Sequence, residues 1–332
     1  MQIIDGLTRW GRRLSPGHRF MDLRERTVFI TGGSRGLGLE LARTFAARGA
    51  RVAICGRDAD EVARAERDLA AHSAAALGLV ADVRSTAEIA RAITATVERF
   101  GPIDVLVNNA GIIQVAPLDA LTRADYEDAM ATHFWGPLDA IEAVLPSMRA
   151  RGAGRIVNVA SIGGRISVPH LLPYSASKFA LVGLSEGLRA ELVREAIYVT
   201  TVIPGLMRTG SPENATFKGK NRQEYTWFSI SDSLPLISVD VTEAARTIVT
   251  AVEHGDAEVT ISAPAVLGAL AHGVLPAAVV EALGLVARFL PRSGGIGRDA
   301  RRGAESHSGV APSFLTAATQ RRAVTQNEVP QA

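Results

Sequence analysis

The tightest constraint on this chain is one short stretch. Thr31-Gly32-Gly33-Ser34-Arg35-Gly36-Leu37-Gly38 directly follows a β-branched run, Thr27 to Ile30, and opens into the helix-period apolar positions Leu39, Leu41, Ala42 and Phe45. Glycines here let the backbone turn sharply and approach a ligand closely, and the N-terminus of the following helix offers unpaired N–H donors and a partial positive charge. Strand, glycine loop and helix in this order suit a pyrophosphate. Alone, the same residues also make an ordinary turn, so the rest of the chain must decide.

The rest of the chain repeats the strand–helix alternation. Arg51 to Cys55, Leu77 to Ala81, Ile103 to Val107, Arg155 to Val159, Tyr198 to Ile203 and Glu258 to Ile261 read as short buried strands separated by helix-period segments. Alternation of this kind predicts an α/β, doubly wound parallel sheet of about seven strands with helices on both faces, a Rossmann-type fold over residues 26–262. Around it we expect a basic N-terminal extension (1–25, with Arg9, Arg12 and Arg13), an apolar C-terminal segment (263–291) and a disordered tail (292–332) rich in Gly, Arg, Ser and Gln.

Charge and cysteine content narrow the possibilities. With 36 basic and 34 acidic side chains, the net charge of +2 gives no field that argues for nucleic acid. Cys55 is the sole cysteine, which excludes an internal disulfide and suits a reducing compartment, and the N-terminus lacks the layout of a secretory signal. The expected location is the cytoplasm.

A dinucleotide site needs a discriminator at the end of its second strand, where an acid holds a ribose 2′-hydroxyl and a basic group accommodates a 2′-phosphate. Cys55-Gly56-Arg57 supplies an arginine and no acid, and Arg35 lies within the glycine loop. This predicts NADP(H) in preference to NAD(H), with Asp58 as a competing ion-pair partner for Arg57. Ala81-Asp82-Val83 ends the third strand, where the carboxylate either bonds an adenine amino group or caps the next helix. Asn108-Asn109-Ala110-Gly111 ends the fourth, where small residues let the chain pass close to a cofactor or simply turn.

Ser161 stands at the end of the fifth strand, Tyr174 thirteen residues later, and Lys178 four residues beyond on the same helix face. Tyrosine ordinarily titrates near pH 10. A nearby ammonium favours phenolate and brings the group toward the operating range, which makes Tyr174 a candidate acid/base, with Ser161 as a donor to the substrate oxygen. No metal-ligating set is evident.

This ordered set resembles the classical short-chain dehydrogenase/reductase (SDR) family over about residues 26 to 261. The resemblance implies Tyr174 as acid/base, Lys178 as a ribose ligand and partner of the tyrosine, and Ser161 as stabiliser of the substrate oxygen. It implies cofactor contacts from Gly32, Ser34, Arg35, Gly36, Leu37, Gly38, Arg57, Asp82, Val83, Asn109, Ala110, Gly111, Pro204, Gly205 and Thr209, together with Tyr174 and Lys178, and assembly as a dimer or tetramer. Thr209 is alternatively a helix cap. One departure stands out. Where the family places an asparagine whose main-chain carbonyl holds a relay water, this chain has His133, either a structural residue or a relay participant that titrates near neutrality.

Residues 206–238 occupy the family's variable substrate loop, and Met207, Phe217, Tyr225, Trp227, Phe228, Leu234 and Ile237 make either an apolar pocket or a small core of their own. A hydrophobic ketone, of acyl, steroid or retinoid-like kind, is the expected substrate. The nearly uncharged segment 265–290 reads as a helix against a partner subunit, a lid, a peripheral membrane contact or a spanning helix, the last opposed by Gly273 and Pro276. The resulting expectation is an NADP(H)-dependent oxidoreductase of carbonyl or alcohol groups; the alternative is a non-catalytic nucleotide-binding sensor or scaffold.

Overall fold

The computed structural model describes residues 20–72, 75–234, 238–313 and 316–329. Arg9, Arg12, Arg13 and Ile237, singled out above, lie outside them.

The β-branched and apolar runs form seven parallel strands: β1 (Thr27–Thr31), β2 (Arg51–Gly56), β3 (Ala76–Val80), β4 (Val105–Asn108), β5 (Gly154–Val159), β6 (Ile197–Pro204) and β7 (Glu258–Ile261). Their order across the sheet is β3-β2-β1-β4-β5-β6-β7. Side chains alternate faces along a strand, and the core divides accordingly. Val28 and Ile30 of β1 join one apolar cluster with Leu39, Leu41, Phe45 and Ile248, while Phe29 joins the opposite one with Leu106, Ile141 and Val199. Each such side chain, fully buried, contributes roughly 1.5–3 kcal/mol.

Helices α1 (Gly36–Ala47), α2 (Ala59–His72), α3 (Thr86–Phe100), α4 (Arg123–Met130), α5 (Gly136–Arg151), α6 (Leu172–Leu192), α7 (Asn221–Ser233) and α8 (Val241–His254) connect or flank these strands. The strand order reverses direction between β1 and β4, which opens a crevice at their carboxyl ends. The glycine loop and Asn109-Ala110-Gly111 both lie there.

The segment after β7 departs from several expectations. Ser262 caps α9 (Ala263–Val274), which stops at Leu275 because Pro276 cannot continue the ladder, and α10 (Pro276–Ala287) then begins. No described helix is long and apolar enough to cross a membrane, so the spanning reading of 265–290 is overturned. Only Ala265 is buried in this helical pair, while Leu267, Val274, Leu275 and Phe289 are exposed.

The tail where composition predicts disorder instead folds back over the body. Arg301–Arg302 pair antiparallel with Thr216–Phe217, and helix α11 (Ala317–Thr325) leads residues 326–329 to the start of α1. Polar and ionic partners hold it: Arg322 pairs with Asp240, and the amide of Gln326 donates to Glu40 at 3.1 Å. Low apolar content conceals this order because the partners are remote in sequence.

Candidate active site

The crevice is shaped first by what its glycines permit. A Cβ on Gly38 would lie 2.0 Å from the Gly32 carbonyl oxygen, and one on Gly32 would lie 2.8 Å from Cα of Ala110. Gly32 and Gly36 take φ of 63° and 55°, the left-handed region that side chains disfavour. Asn109 is more than turn filler. Its amide donates to the carbonyls of Thr31 (3.1 Å) and Gly32 (3.0 Å), and the Thr31 hydroxyl accepts from the N–H groups of Asn109 and Ala110. These bonds stitch the two loops into one cradle. No side chain caps α1, which Arg35 precedes in extended conformation.

Around the cradle, Arg57 is exposed just beyond β2. Asp58, the competing partner considered for it, accepts from the Glu61 N–H at 2.9 Å. Arg35 bonds Glu61 at 2.9 Å and Asn214 at 3.1 Å. Asp82 pairs with Arg84 at 2.7 Å, and Ser85 rather than Asp82 caps α3. Val83 is buried beneath this turn, with its carbonyl 2.7 Å from where a Cβ on Gly136 would stand. Ser34 is buried at the loop, its hydroxyl 2.7 Å from where a Cβ on Gly56 would stand. Leu37 is buried on the first turn of α1. Burial pushes the Cys55 thiol up to about 12, so it is unreactive.

Ser161 lies two residues past the end of β5 and caps the turn Ile162–Gly164, its hydroxyl accepting from the Gly163 N–H at 3.0 Å. Pro173 in the first turn of α6 sets the helix that carries Tyr174 and Lys178 on one face. A Cβ on Gly163 would lie 3.0 Å from the Tyr174 ring and 3.5 Å from the Ser161 hydroxyl, so the two side chains converge there. Lys178 Nζ donates to the Val159 carbonyl at 2.7 Å and lies 5.8 Å from the Tyr174 ring centre.

The direction of the tyrosine's shift differs from expectation. Burial holds the Tyr174 hydroxyl above its ordinary range, with the Ser161 hydroxyl opposing and the Asp232 charge adding to the rise. Burial pushes Lys178 down to about 7. Desolvation thus favours the neutral phenol and leaves Lys178 divided between its charged and neutral forms near neutral pH.

His133 is fully buried in a π-helical turn, Ala131–Trp135, between α4 and α5. Its Nε2 accepts from the Ile112 N–H at 3.0 Å, so the neutral ring carries its proton on Nδ1, 2.7 Å from the Ser177 hydroxyl. Ser177 donates onward to the Tyr174 carbonyl at 2.9 Å. Burial and the Lys178 charge hold the imidazole well below its usual range. Both ring nitrogens are occupied in tying the loop after β4 to the helix of Tyr174, which favours the structural alternative for His133 over the relay that needs it to titrate near neutrality.

On the substrate side, Phe217, Tyr225 and Phe228 form a small core with Val115 and Leu171, and Tyr174 and Trp227 pack against it. The loop's large side chains therefore serve mainly one another, beside the tyrosine. Two buried acids escaped the sequence reading. Glu224 accepts from the Trp227 indole at 2.7 Å and bonds His170 at 3.0 Å. Asp232 accepts from the Ser211 hydroxyl at 3.5 Å, and burial raises it to about 8. Nothing in their local sequence marks them, since each is buried by segments distant in the chain. Gly205 donates its N–H to Ile261, next to Pro204, which ends β6 in register with that residue. Thr209 accepts from the Ser211 N–H at 3.2 Å, one residue before Gly210, which holds the cap position of the short helix Ser211–Asn214.

Known proteins share this arrangement. The short chain dehydrogenase family profile matches residues 26–218. A galactitol 2-dehydrogenase of Agrobacterium fabrum is 39% identical over 189 residues, covering 56% of this chain and 72% of that protein. A short-chain dehydrogenase from Streptomyces avermitilis superposes with a TM-score of 0.67 at 30% identity, covering 80% of this chain and 98% of that one. An actinorhodin polyketide ketoreductase variant solved with NADPH gives 0.65 at 31% identity, covering 73% and 97%.

Proposed function

Because this chain belongs to the short-chain dehydrogenase family and is an oxidoreductase of carbonyl and alcohol groups, we propose that it moves hydride between NADP(H) and a hydrophobic ketone or secondary alcohol, with Tyr174 as proton carrier. The observation that carries this reading is the convergence of the Ser161 and Tyr174 side chains beside Gly163, with Lys178 Nζ 5.8 Å from the tyrosine ring centre.

The cradle fits a dinucleotide, since Gly32 and Gly38 leave open backbone where a Cβ would collide. Gly32, Ser34, Gly36, Leu37, Gly38, Asn109, Ala110 and Gly111 would line its phosphates and nicotinamide half, Asp82 and Val83 its adenine. When bound, the cofactor supplies or accepts the hydride. Burial keeps Tyr174 a neutral phenol, the form that donates a proton to the substrate oxygen in reduction. Ser161 donates to the same oxygen where negative charge develops. The phenolate left behind is stabilised by that serine and by the charge of Lys178.

The preference for NADP(H) is supported by Arg57 and Arg35 together with the lack of an acid at the end of β2, and by the NADPH in the ketoreductase structure. The partly exposed Trp227, packed with Tyr174 against the Phe217–Tyr225–Phe228 core, supports a hydrophobic substrate. The catalytic unit is assigned to residues 26–262, in the cytoplasm, within a dimer or tetramer to which the exposed side chains of α9 and α10 are suited. Peripheral membrane contact through 265–290 is the competing use of that surface, and equal partition of the protein with and without liposomes would exclude it. Turnover of the sensor or scaffold type, meaning none, is disfavoured by the family's dehydrogenases and reductases. A panel of ketones and alcohols, followed by absorbance of reduced cofactor, tests the whole reading: nucleotide binding without turnover on any of them would overturn it.

A further inference from the structure

The glycine cradle already has an occupant from this chain. The Gly36 N–H, the first of α1, donates to the Gln326 carbonyl at 2.9 Å. The Asn327 amide donates to the Ser34 and Glu61 carbonyls at 2.8 and 3.1 Å, while its oxygen accepts from Arg64 at 2.8 Å. Asn327 takes a left-handed φ of 55°, which turns the chain so that Glu328 points inward. The Asn214 amide donates to both the backbone and the carboxylate of Glu328, at 2.9 and 2.8 Å. Arg35 Nε lies 3.8 Å from the same carboxylate. A Cβ on Gly36 would be 2.5 Å from Glu328 Oε1, and one on Gly210, next to Thr209, would be 2.5 Å from Glu328 Cβ. The carboxylate is thus wedged between the start of α1 and the turn after β6.

These are features that receive a nucleotide's phosphates: a helix N-terminus without a side-chain cap, left-handed glycines and a nearby arginine. We infer that the C-terminal arm, residues 326–328, is a ligand of the dinucleotide's phosphate site in cis, with Glu328 standing in for a phosphate, so that arm and cofactor exclude one another. This rests on the cofactor reading above. A cover lying over a bound nucleotide would leave the Gly36 N–H free, whereas here the arm takes it. The mimic is also imperfect. Besides Arg35, Glu328 faces the acids Glu61 and Asp232, and burial raises it to about 7, so a phosphate able to engage Arg35 more fully is the better ligand. The arm therefore sets a threshold for cofactor entry and fills the crevice when cofactor is scarce.

The test uses the full chain and two readouts that do not depend on turnover. NADPH is titrated by fluorescence into wild type and into the Asn327→Ala/Glu328→Ala double variant, with thermal unfolding as the folding control. Hydrogen–deuterium exchange follows the amides of 317–328 in wild type. We expect the double variant to bind NADPH about tenfold more tightly or better, since removing a competing state raises the binding-competent fraction. We also expect NADPH to abolish the arm's protection in wild type. Equal affinity, or protection that persists with NADPH bound, overturns the arm proposal and leaves the cofactor reading standing. Weaker binding by the variant overturns it too, since the arm would then be part of the nucleotide site. Absence of NADPH binding by either protein overturns the cofactor reading and the arm proposal with it.

Discussion

Nδ1 of His133 lies 2.7 Å from the hydroxyl of Ser177, and that contact joins the turn between α4 and α5 to the helix of Tyr174. Its other nitrogen is held by Ile112. Replacing His133 with alanine removes both bonds, opens a cavity where the buried ring stood and leaves the part-buried Ile112 N–H without its acceptor, while Ser177 keeps its bond to the Tyr174 carbonyl. An unsatisfied group costs about 1–3 kcal/mol. His133→Ala should therefore lower the unfolding free energy by roughly 2–4 kcal/mol in denaturant titrations, while His133→Asn, which keeps an acceptor, recovers part of the loss. Because the imidazole is held neutral, activity should show no inflection assignable to it near pH 6.5. An inflection there that vanishes in His133→Asn would restore the relay reading.

Tyr174→Phe deletes the proposed proton carrier and keeps the ring packed against His133, whose centre is 5.4 Å away. General acid–base groups contribute on the order of 10²–10⁴ in rate. A fall in kcat of that size with NADPH affinity little changed is expected from stopped-flow turnover and binding titration. A loss below tenfold would remove Tyr174 from the chemistry.

Gly38→Ala probes the cradle itself. The new methyl group would meet the Gly32 backbone oxygen, and backbone yields less readily than a flexible side chain. Overpacking of this kind costs roughly 1–3 kcal/mol. The variant should be less stable and bind NADPH weakly, whereas Gly183→Ala, on an open face of α6, should do neither.

Arg57→Ala separates the two nucleotides. A bond to a charged group contributes about 1.5–3 kcal/mol, so loss of a 2′-phosphate contact should weaken NADPH binding by roughly tenfold or more. NADH affinity should stay unchanged. Equal weakening of both would assign Arg57 to a role other than discrimination.

The arm should also respond to pH. Docking raises Glu328 from an ordinary 4.5 to about 7, so its contribution is complete below the undocked value and is lost as pH climbs through about 7. Asp232, raised to about 8, has the same sign, while Arg35 and Arg208 oppose the two rises. Amide protection of 317–328 should accordingly be weaker at pH 8 than at pH 5.5. The dependence should flatten in Glu328→Ala, and a steeper protection at high pH would contradict it.

Much of this was legible in the chain itself. Thr27 to Gly38, the later buried runs, and Ser161, Tyr174 and Lys178 could be read from spacing because each depends on local causes. Strand periodicity, the steric freedom of glycine and the four-residue turn of a helix act within a dozen residues. Strand ends moved by a residue or two, as with β4, which begins at Val105 rather than Ile103, but no strand was misplaced in order.

What remained hidden depends on distance along the chain. The rise of Tyr174 and the fall of Lys178 follow from how deeply the assembled body buries them, and the contacts of His133 from Ile112 and Ser177 arriving on either side of its ring. The order of the tail was misread for the same reason: Glu328 becomes meaningful only against Gly36, at the opposite end of the sequence. Sequence alone determined the fold and the chemistry this protein can attempt, because propensity and spacing are local. Only the tertiary structure decided which protons are held and what fills the cradle, because desolvation and charge act through space between residues that the chain keeps far apart.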